Sequence, residues 1–153
     1  MSLILATGTN LGNREENLLL AKNLLSQNFK FIAESRIYTS PAVEYLNQPD
    51  FYNQVLEFEI PKFSPTDTME KILLIEAQLG RKRDIPKGPR IIDIDIIFWK
   101  LDKISSDNIS VPHPAWQDRS FVALPLQELP YFQTIKKSFI IPTKFNNTAS
   151  PIS

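Results

Sequence analysis

Apolar and polar positions along this 153-residue chain alternate with two periods, one of about two residues and one of about 3.6, in an order that predicts the elements directly. "LILATG" reads as a first strand and runs into "GTNLGN", where Gly8 and Gly12 give the backbone freedom to turn. Asn13 with Glu16 three residues on resembles a capping box. Leu18, Leu20, Ala21, Leu24 and Leu25 follow at helical spacing, so a helix is predicted over about Arg14 to Gln27. In "FKFIAESRIY", Phe29, Phe31, Ala33 and Ile37 alternate with Lys30, Glu34 and Arg36, which reads as one second strand.

A proline-bearing loop, "TSPAVEYLNQPD", leads to a third strand, "FYNQVLEFEI". There Leu56, Phe58 and Ile60 oppose Glu57 and Glu59, with Phe51 and Asn53 on the glutamate side. Ser64 as N-cap and Pro65 at the first helical position open a second helix. It carries Thr68, Met69, Ile72, Ile75 and Leu79 inward and stops at Gly80. The fourth strand, "IIDIDIIF", puts Ile92, Ile94, Ile96 and Phe98 on one face and Asp93 and Asp95 on the other.

The order β-α-β-β-α-β predicts the α+β class, with a ferredoxin-like core in which an antiparallel sheet is backed by two helices and its other face is left for a site. After Trp99, the middle of "VPHPAWQDRSFVALPLQELP" is expected to form a short helix. These additional C-terminal elements belong on the site side, and the end, "KFNNTASPIS", is expected to fray.

Composition narrows the function classes. The length suits one domain, and 42% hydrophobic with 22% charged residues is ordinary for a globular chain. No run is apolar enough to span a bilayer, no secretory or lipidation signal is visible, and the cytoplasm is the expected compartment. The absence of cysteine excludes disulfides and thiolate chemistry. Lys plus Arg equals Asp plus Glu at 17 each, so no global basic field draws the chain to nucleic acid.

Against that neutral background the aspartate pair stands out. On one strand face, Asp93 and Asp95 would have Cα atoms roughly 6.5–7 Å apart. At about 6 Å and an effective dielectric of ~20, two such charges repel by on the order of 2–3 kcal/mol. A solvated outer face is the plain alternative, but aspartate is depleted in strands. A hard divalent cation offsets the repulsion, because Mg²⁺ takes one or two carboxylates and completes its shell with water and phosphate oxygens. Arg81, Lys82, Arg83, Lys87 and Arg90 lead into this strand with only Asp84 opposing them, a grouping that suits a polyphosphate; in isolation the same loop would read as solvated surface. His113, the single histidine, sits between prolines in "VPHP", where it either serves structure or donates to a phosphate. Phe51, Asn53 and Phe121 can pack a flat heterocycle and read its edge; core packing is the alternative, strongest for Phe121.

"GTNLGN", "QPDFYN", "GPRIIDIDII" and "VPHP" followed by "DRSFV" together resemble the 6-hydroxymethyl-7,8-dihydropterin pyrophosphokinase family of folate biosynthesis, over roughly Leu3 to Leu129. The resemblance implies one pyrophosphokinase domain over residues 1–153, with 131–153 a peripheral tail. It implies transfer of the β,γ-pyrophosphoryl group of ATP to the hydroxymethyl oxygen of the reduced pterin, with AMP released and two Mg²⁺ ions taking part. Asp93 and Asp95 match the family's metal-bridging aspartates, and Arg81 and Arg90 its arginines at the phosphates. Glu76, Arg83, His113 and Arg119 match others that hold ATP, and Ile96 and Ser110 match positions lining the adenine. For the pterin, Ser40, Pro41 and Val43 match the loop at the ring edge, Asn53 the reading amide, and Phe51 with Phe121 the stacking pair. ATP and the pterin are thus the implied partners, with no nucleic acid, no membrane and no obligate protein partner.

The chain departs from the family pattern at Pro86 and Lys87, where an arginine and an aromatic are frequent, at Leu73, where a polar residue is common, and at Pro114, where tyrosine is frequent. Two rivals remain: a ferredoxin-like nucleic-acid module, disfavoured by zero net charge and by aspartates on the binding face, and a nucleotidyltransferase, which differs in its products.

Overall fold

The computed structural model describes residues 1–42, 47–81 and 89–153. Strand β1 (Ser2–Thr9) lies between β4 (Phe51–Glu59) and β5 (Asp93–Trp99). Helix α1 (Arg14–Asn28), strands β2 (Phe31–Glu34) and β3 (Tyr38–Ser40), and helix α2 (Pro65–Gln78) complete the β-α-β-β-α-β core. The sheet order is β5-β1-β4-β3, with β2 also on β4, and every pairing is antiparallel. This is a ferredoxin-like α+β fold.

Both helices begin as their sequences predict. Asn13 Oδ1 accepts from Glu16 N–H at 3.1 Å, and Ser64 Oγ accepts from Asp67 N–H at 3.1 Å, so each cap satisfies a first-turn amide. Leu18, Ala21 and Leu25 from α1 and Ile72 and Ile75 from α2 pack on Leu3, Leu5, Leu56, Phe58, Ile92, Ile94 and Ile96. Leu20, counted inward from spacing, is 43% exposed, because two residues from Leu18 is about 200° around a helix.

Three features differ from the sequence expectation. The single second strand is two strands, because Ser35 interrupts it: its Oγ accepts from Val55 N–H at 3.0 Å and its carbonyl accepts from Gln54 Nε2 at 2.8 Å. Phe98 does not face the helices with the isoleucines. Leu5 pairs with Ile96 but Ile4 pairs with Phe98, so Ile97 is an extra residue, a β-bulge that turns Phe98 to the opposite face and Trp99 to the helix side. The end of the chain does not fray. Strand β8 (Ser150–Pro151) pairs with β3, Ile152 N–H donates to Ile37 O at 3.0 Å, and Asn147 Oδ1 accepts from Ser120 N–H at 2.8 Å.

The face away from α1 and α2 is divided. After a small hairpin of β6 (Ile104–Ser105) and β7 (Ser110–Val111), helices α3 (Ser120–Leu126) and α4 (Phe132–Ile135) cover one part of it. Trp116, Val122, Ala123, Leu126, Leu129 and Ile135 pack there on Ile4, Val55, Ile97 and Phe98. Glu57 is consequently buried, accepting from Ser2 Oγ at 2.9 Å and Tyr131 N–H at 3.0 Å. What stays uncovered is the end of the sheet where Gly8 of β1 pairs with Asn53 of β4 on one side and Asp93 of β5 on the other.

Candidate active site

That uncovered end is a cavity of about 340 Å³. Its walls come from Ala6, Thr7 and Gly8 on β1, Phe51 and Asn53 on β4, Asp93 and Asp95 on β5, and Ser40, Pro41 and Gln48 before β4. Arg81, Arg90, His113, Arg119, Phe121 and Val122 complete it. It therefore gathers eleven of the residues singled out from sequence: Ser40, Pro41, Phe51, Asn53, Arg81, Arg90, Asp93, Asp95, His113, Arg119 and Phe121. Glu76, Ile96 and Ser110 do not line it. Glu76 lies behind Arg81, Ile96 is packed in the helix-side core, and Ser110 is on the exposed hairpin strand. Val43 and Arg83, with Lys82, Pro86 and Lys87, lie outside the described residues. Leu73 is 43% exposed on α2, away from the cavity wall.

Asp93 is the electrostatic centre. Its Oδ1 accepts from Arg81 Nη1 at 2.7 Å and its Oδ2 from Arg90 Nη1 at 3.2 Å. Arg81 is held from behind, since the same Nη1 donates to Glu76 Oε2 at 2.6 Å, and Glu76 Oε2 also accepts Ile94 N–H at 2.8 Å. Burial raises the Glu76 pKa, although the Ile94 amide and Arg81 oppose the rise. Burial works against the Arg81 charge, but Asp93 and Glu76 outweigh it and raise its pKa, so the guanidinium stays protonated.

Asp95 differs from Asp93. No hydrogen-bond partner for its carboxylate is found among the described residues, and burial first, then Asp93, pushes its pKa up to about 7. A carboxylate so placed costs free energy unless a cation joins it. Two carboxylates on one strand face, with oxygen donors only, fit Mg²⁺, which completes its shell from water and phosphate. Among the described residues no third acidic residue or histidine closes a protein-only metal cage.

On the opposite wall Asn53, 6% exposed, donates from Nδ2 to Ser40 Oγ at 2.8 Å. A Cβ added to Gly8 would stand 3.4 Å from Asn53 Oδ1 and 3.8 Å from the Phe51 ring, so the missing side chain leaves room for a flat ligand. The Arg90 guanidinium lies 5.2 Å from the Phe51 ring centroid and that of Arg119 lies 5.8 Å from Phe121. His113 Nδ1 accepts from Ala115 N–H at 3.1 Å, which places the neutral ring's proton on Nε2. Burial and then Arg119 lower its pKa, against Asp93, so the neutral form is favoured.

Sequence reasoning did not single out Asn10, Gln48 or Thr7. Asn10 is buried and bonded to two other segments, at Gln48–Pro49 and at Arg90; its only signal was an amide between the glycines of "GTNLGN".

The profile of the 7,8-dihydro-6-hydroxymethylpterin-pyrophosphokinase (HPPK) family matches residues 4–131. The chain belongs to the HPPK family. Among HPPK relatives, it is 35% identical over 127 residues to the 2-amino-4-hydroxy-6-hydroxymethyldihydropteridine pyrophosphokinase of Bacillus subtilis, covering 82% of this chain and 75% of that protein. It is 36% identical over 129 residues to the folic acid synthesis protein fol1 of Pneumocystis carinii, covering 84% of this chain and 17% of that protein. The chain likewise spans only 20% and 23% of the folate-synthesis proteins of Dictyostelium discoideum and Arabidopsis thaliana. In fold it resembles Plasmodium falciparum HPPK-DHPS, with a TM-score of 0.64 and 17% identity over 82% of this chain and 38% of that one.

Proposed function

We propose that the chain transfers the β,γ-pyrophosphoryl group of ATP to the hydroxymethyl oxygen of 6-hydroxymethyl-7,8-dihydropterin, acting as the corresponding diphosphokinase in the cytoplasm. The observation that carries this reading is one cavity in which an amide-and-aromatic slot, Asn53 with Phe51 and Phe121, adjoins three arginines and a carboxylate pair. A slot alone would suit many heterocycles. The adjoining charges suit a polyphosphate brought to a group on that heterocycle.

In the transfer, the hydroxymethyl oxygen forms a bond to the β-phosphorus, the bond from that phosphorus to the oxygen of AMP breaks, and the hydroxymethyl proton is released. Arg81 and Arg90, paired with Asp93 in the free protein, face the phosphates and neutralise charge as it shifts toward the leaving oxygen. Asp93 and Asp95 would hold Mg²⁺, which supplies neutralisation of the polyphosphate when bound. Asn53 and Ser40 meet the pterin edge and Phe51 and Phe121 its faces, with Pro41 beside them; Val43 is assigned to the pterin from the family pattern alone. His113 donates from Nε2 to phosphate, and Arg119 and Arg83 carry further phosphate charge. Glu76 serves ATP through Arg81, and Ile96 and Ser110 are assigned to the adenine side from the family pattern.

Product analysis tests the reading. Incubation with ATP, Mg²⁺ and the pterin should give AMP and pterin pyrophosphate in equal amounts, neither appearing without pterin or without Mg²⁺. ADP as the nucleotide product, or inorganic pyrophosphate with a nucleotidylated pterin, would replace it with a different transfer.

A further inference from the structure

Asn10 sits just beyond the end of β1 and, of the residues assigned above to the reaction, is hydrogen-bonded to Arg90 through the Arg90 backbone and not its guanidinium. Only 2% of Asn10 is exposed, yet its polar atoms are well used. Its Oδ1 accepts from Arg90 N–H at 2.8 Å and its own N–H donates to Arg90 O at 3.0 Å, so the Asn10 side chain and backbone together hold both backbone polar groups of Arg90. Its Nδ2 donates to Gln48 Oε1 at 2.8 Å and to Pro49 O at 3.0 Å. A buried amide so engaged holds its partners in place, because releasing it strands several donors and acceptors at once.

What it holds is informative. Arg90 lies outside regular structure, before β5, and from this anchored backbone its guanidinium reaches Asp93 and lies over the Phe51 ring. Phe51 opens β4 directly after Gln48, Pro49 and Asp50. Asp50 O is held in turn by Arg14 Nη1 at 2.9 Å, with the Arg14 guanidinium 3.9 Å from the Tyr52 ring centroid. One side chain therefore fixes a phosphate-facing arginine relative to the aromatic wall of the heterocycle slot.

We propose that Asn10 is a positioning residue that sets Arg90 against the slot for the transfer; this rests on the pyrophosphoryl-transfer reading above. Displacing a catalytic group by about 1 Å can cost on the order of 100-fold in rate. Asn10→Ala should therefore lower kcat by about 10- to 100-fold, with a smaller change in the KM for ATP. Asn10→Asp keeps an acceptor facing the Arg90 N–H but loses the donor to both Gln48 Oε1 and Pro49 O, so it should recover part of kcat. Amide hydrogen exchange at Arg90 in the ligand-free protein should be faster in Asn10→Ala and near the original rate in Asn10→Asp. Circular dichroism establishes that each variant is folded, and Asn10→Ser serves if the alanine variant is not.

A folded Asn10→Ala with unchanged kcat would overturn the proposal. So would a fall in kcat with unchanged Arg90 exchange, or a fall that Asn10→Asp does not reverse even in part. If the unaltered protein makes no pterin pyrophosphate, the transfer reading fails and the role in transfer falls with it. The Arg90 exchange rates would then still show whether Asn10 holds that backbone.

Discussion

Asp95→Asn should make the ligand-free protein more stable at alkaline pH while removing Mg²⁺-dependent turnover. The Asp95 carboxyl moves from 3.8 to about 7 on folding, chiefly through burial and secondarily through Asp93. Because the folded-state pKa is the higher one, the native protein holds the extra proton. Stability from this group is therefore greatest below the unfolded pKa, falls as pH rises between the two values, and is fully lost above the folded one. From pH 5.5 to 7 the wild type passes through about 1.5 pKa units, worth ~2 kcal/mol at about 1.4 kcal/mol per unit. Asparagine has no such slope. In EDTA, the stability advantage of Asp95→Asn should thus grow by ~2 kcal/mol between pH 5.5 and 8.5, or about 4–8 °C in Tm for a chain of this size. Urea unfolding at a series of pH values measures it. Parallel stability profiles for the two proteins would refute the burial argument, and a variant less stable at pH 8.5 would reverse its sign.

Arg81→Ala should lower kcat more than it raises the KM for ATP, and should also cost about 2 kcal/mol of stability because Glu76 loses its charged partner; equal KM loss with unchanged kcat would demote Arg81 to a binding residue. Gly8→Ala places a methyl 3.4 Å from Asn53 Oδ1 and should raise the KM for the pterin more than that for ATP, which steady-state kinetics with each substrate varied resolves. Glu128→Gln tests the clasp between the segment after α3 and the sheet edge, where Glu128 accepts from Arg36 N–H at 2.8 Å and from Tyr38 Oη. Burial raises the Glu128 pKa, but the Arg36 amide, Tyr38 and the Arg36 guanidinium together bring it below its ordinary value. The contribution is then present above the unfolded pKa and lost as pH falls through the folded one, so the variant's Tm deficit at pH 7 should shrink toward pH 3.

Much of the frame was legible because its signals are local. Asn13 and Ser64 cap helices through amides three residues on, and period two alone put Asp93 and Asp95 on one strand face. The misreadings share a different cause. Whether Phe98 faces the helices depends on the bulge at Ile97, which is set by pairing with β1 more than ninety residues earlier in the chain. Glu57 alternates like a surface residue, and only the later return of Tyr131 buries it. The final residues are polar and poorly patterned, yet β8 pairs with an edge strand, a backbone interaction that side-chain pattern does not encode. At the site, charges announced themselves through clustering, whereas Asn10 acts through bonds to backbone and amide partners spread over eighty residues of sequence.

The most direct test of the transfer labels the pterin hydroxymethyl oxygen with ¹⁸O and follows both products by mass spectrometry. Attack of that oxygen on the β-phosphorus places the label in the bridging position of pterin pyrophosphate and leaves AMP unlabelled. Label in AMP, loss of label to water, or ADP in place of AMP would contradict the assignment of the cavity to pyrophosphoryl transfer.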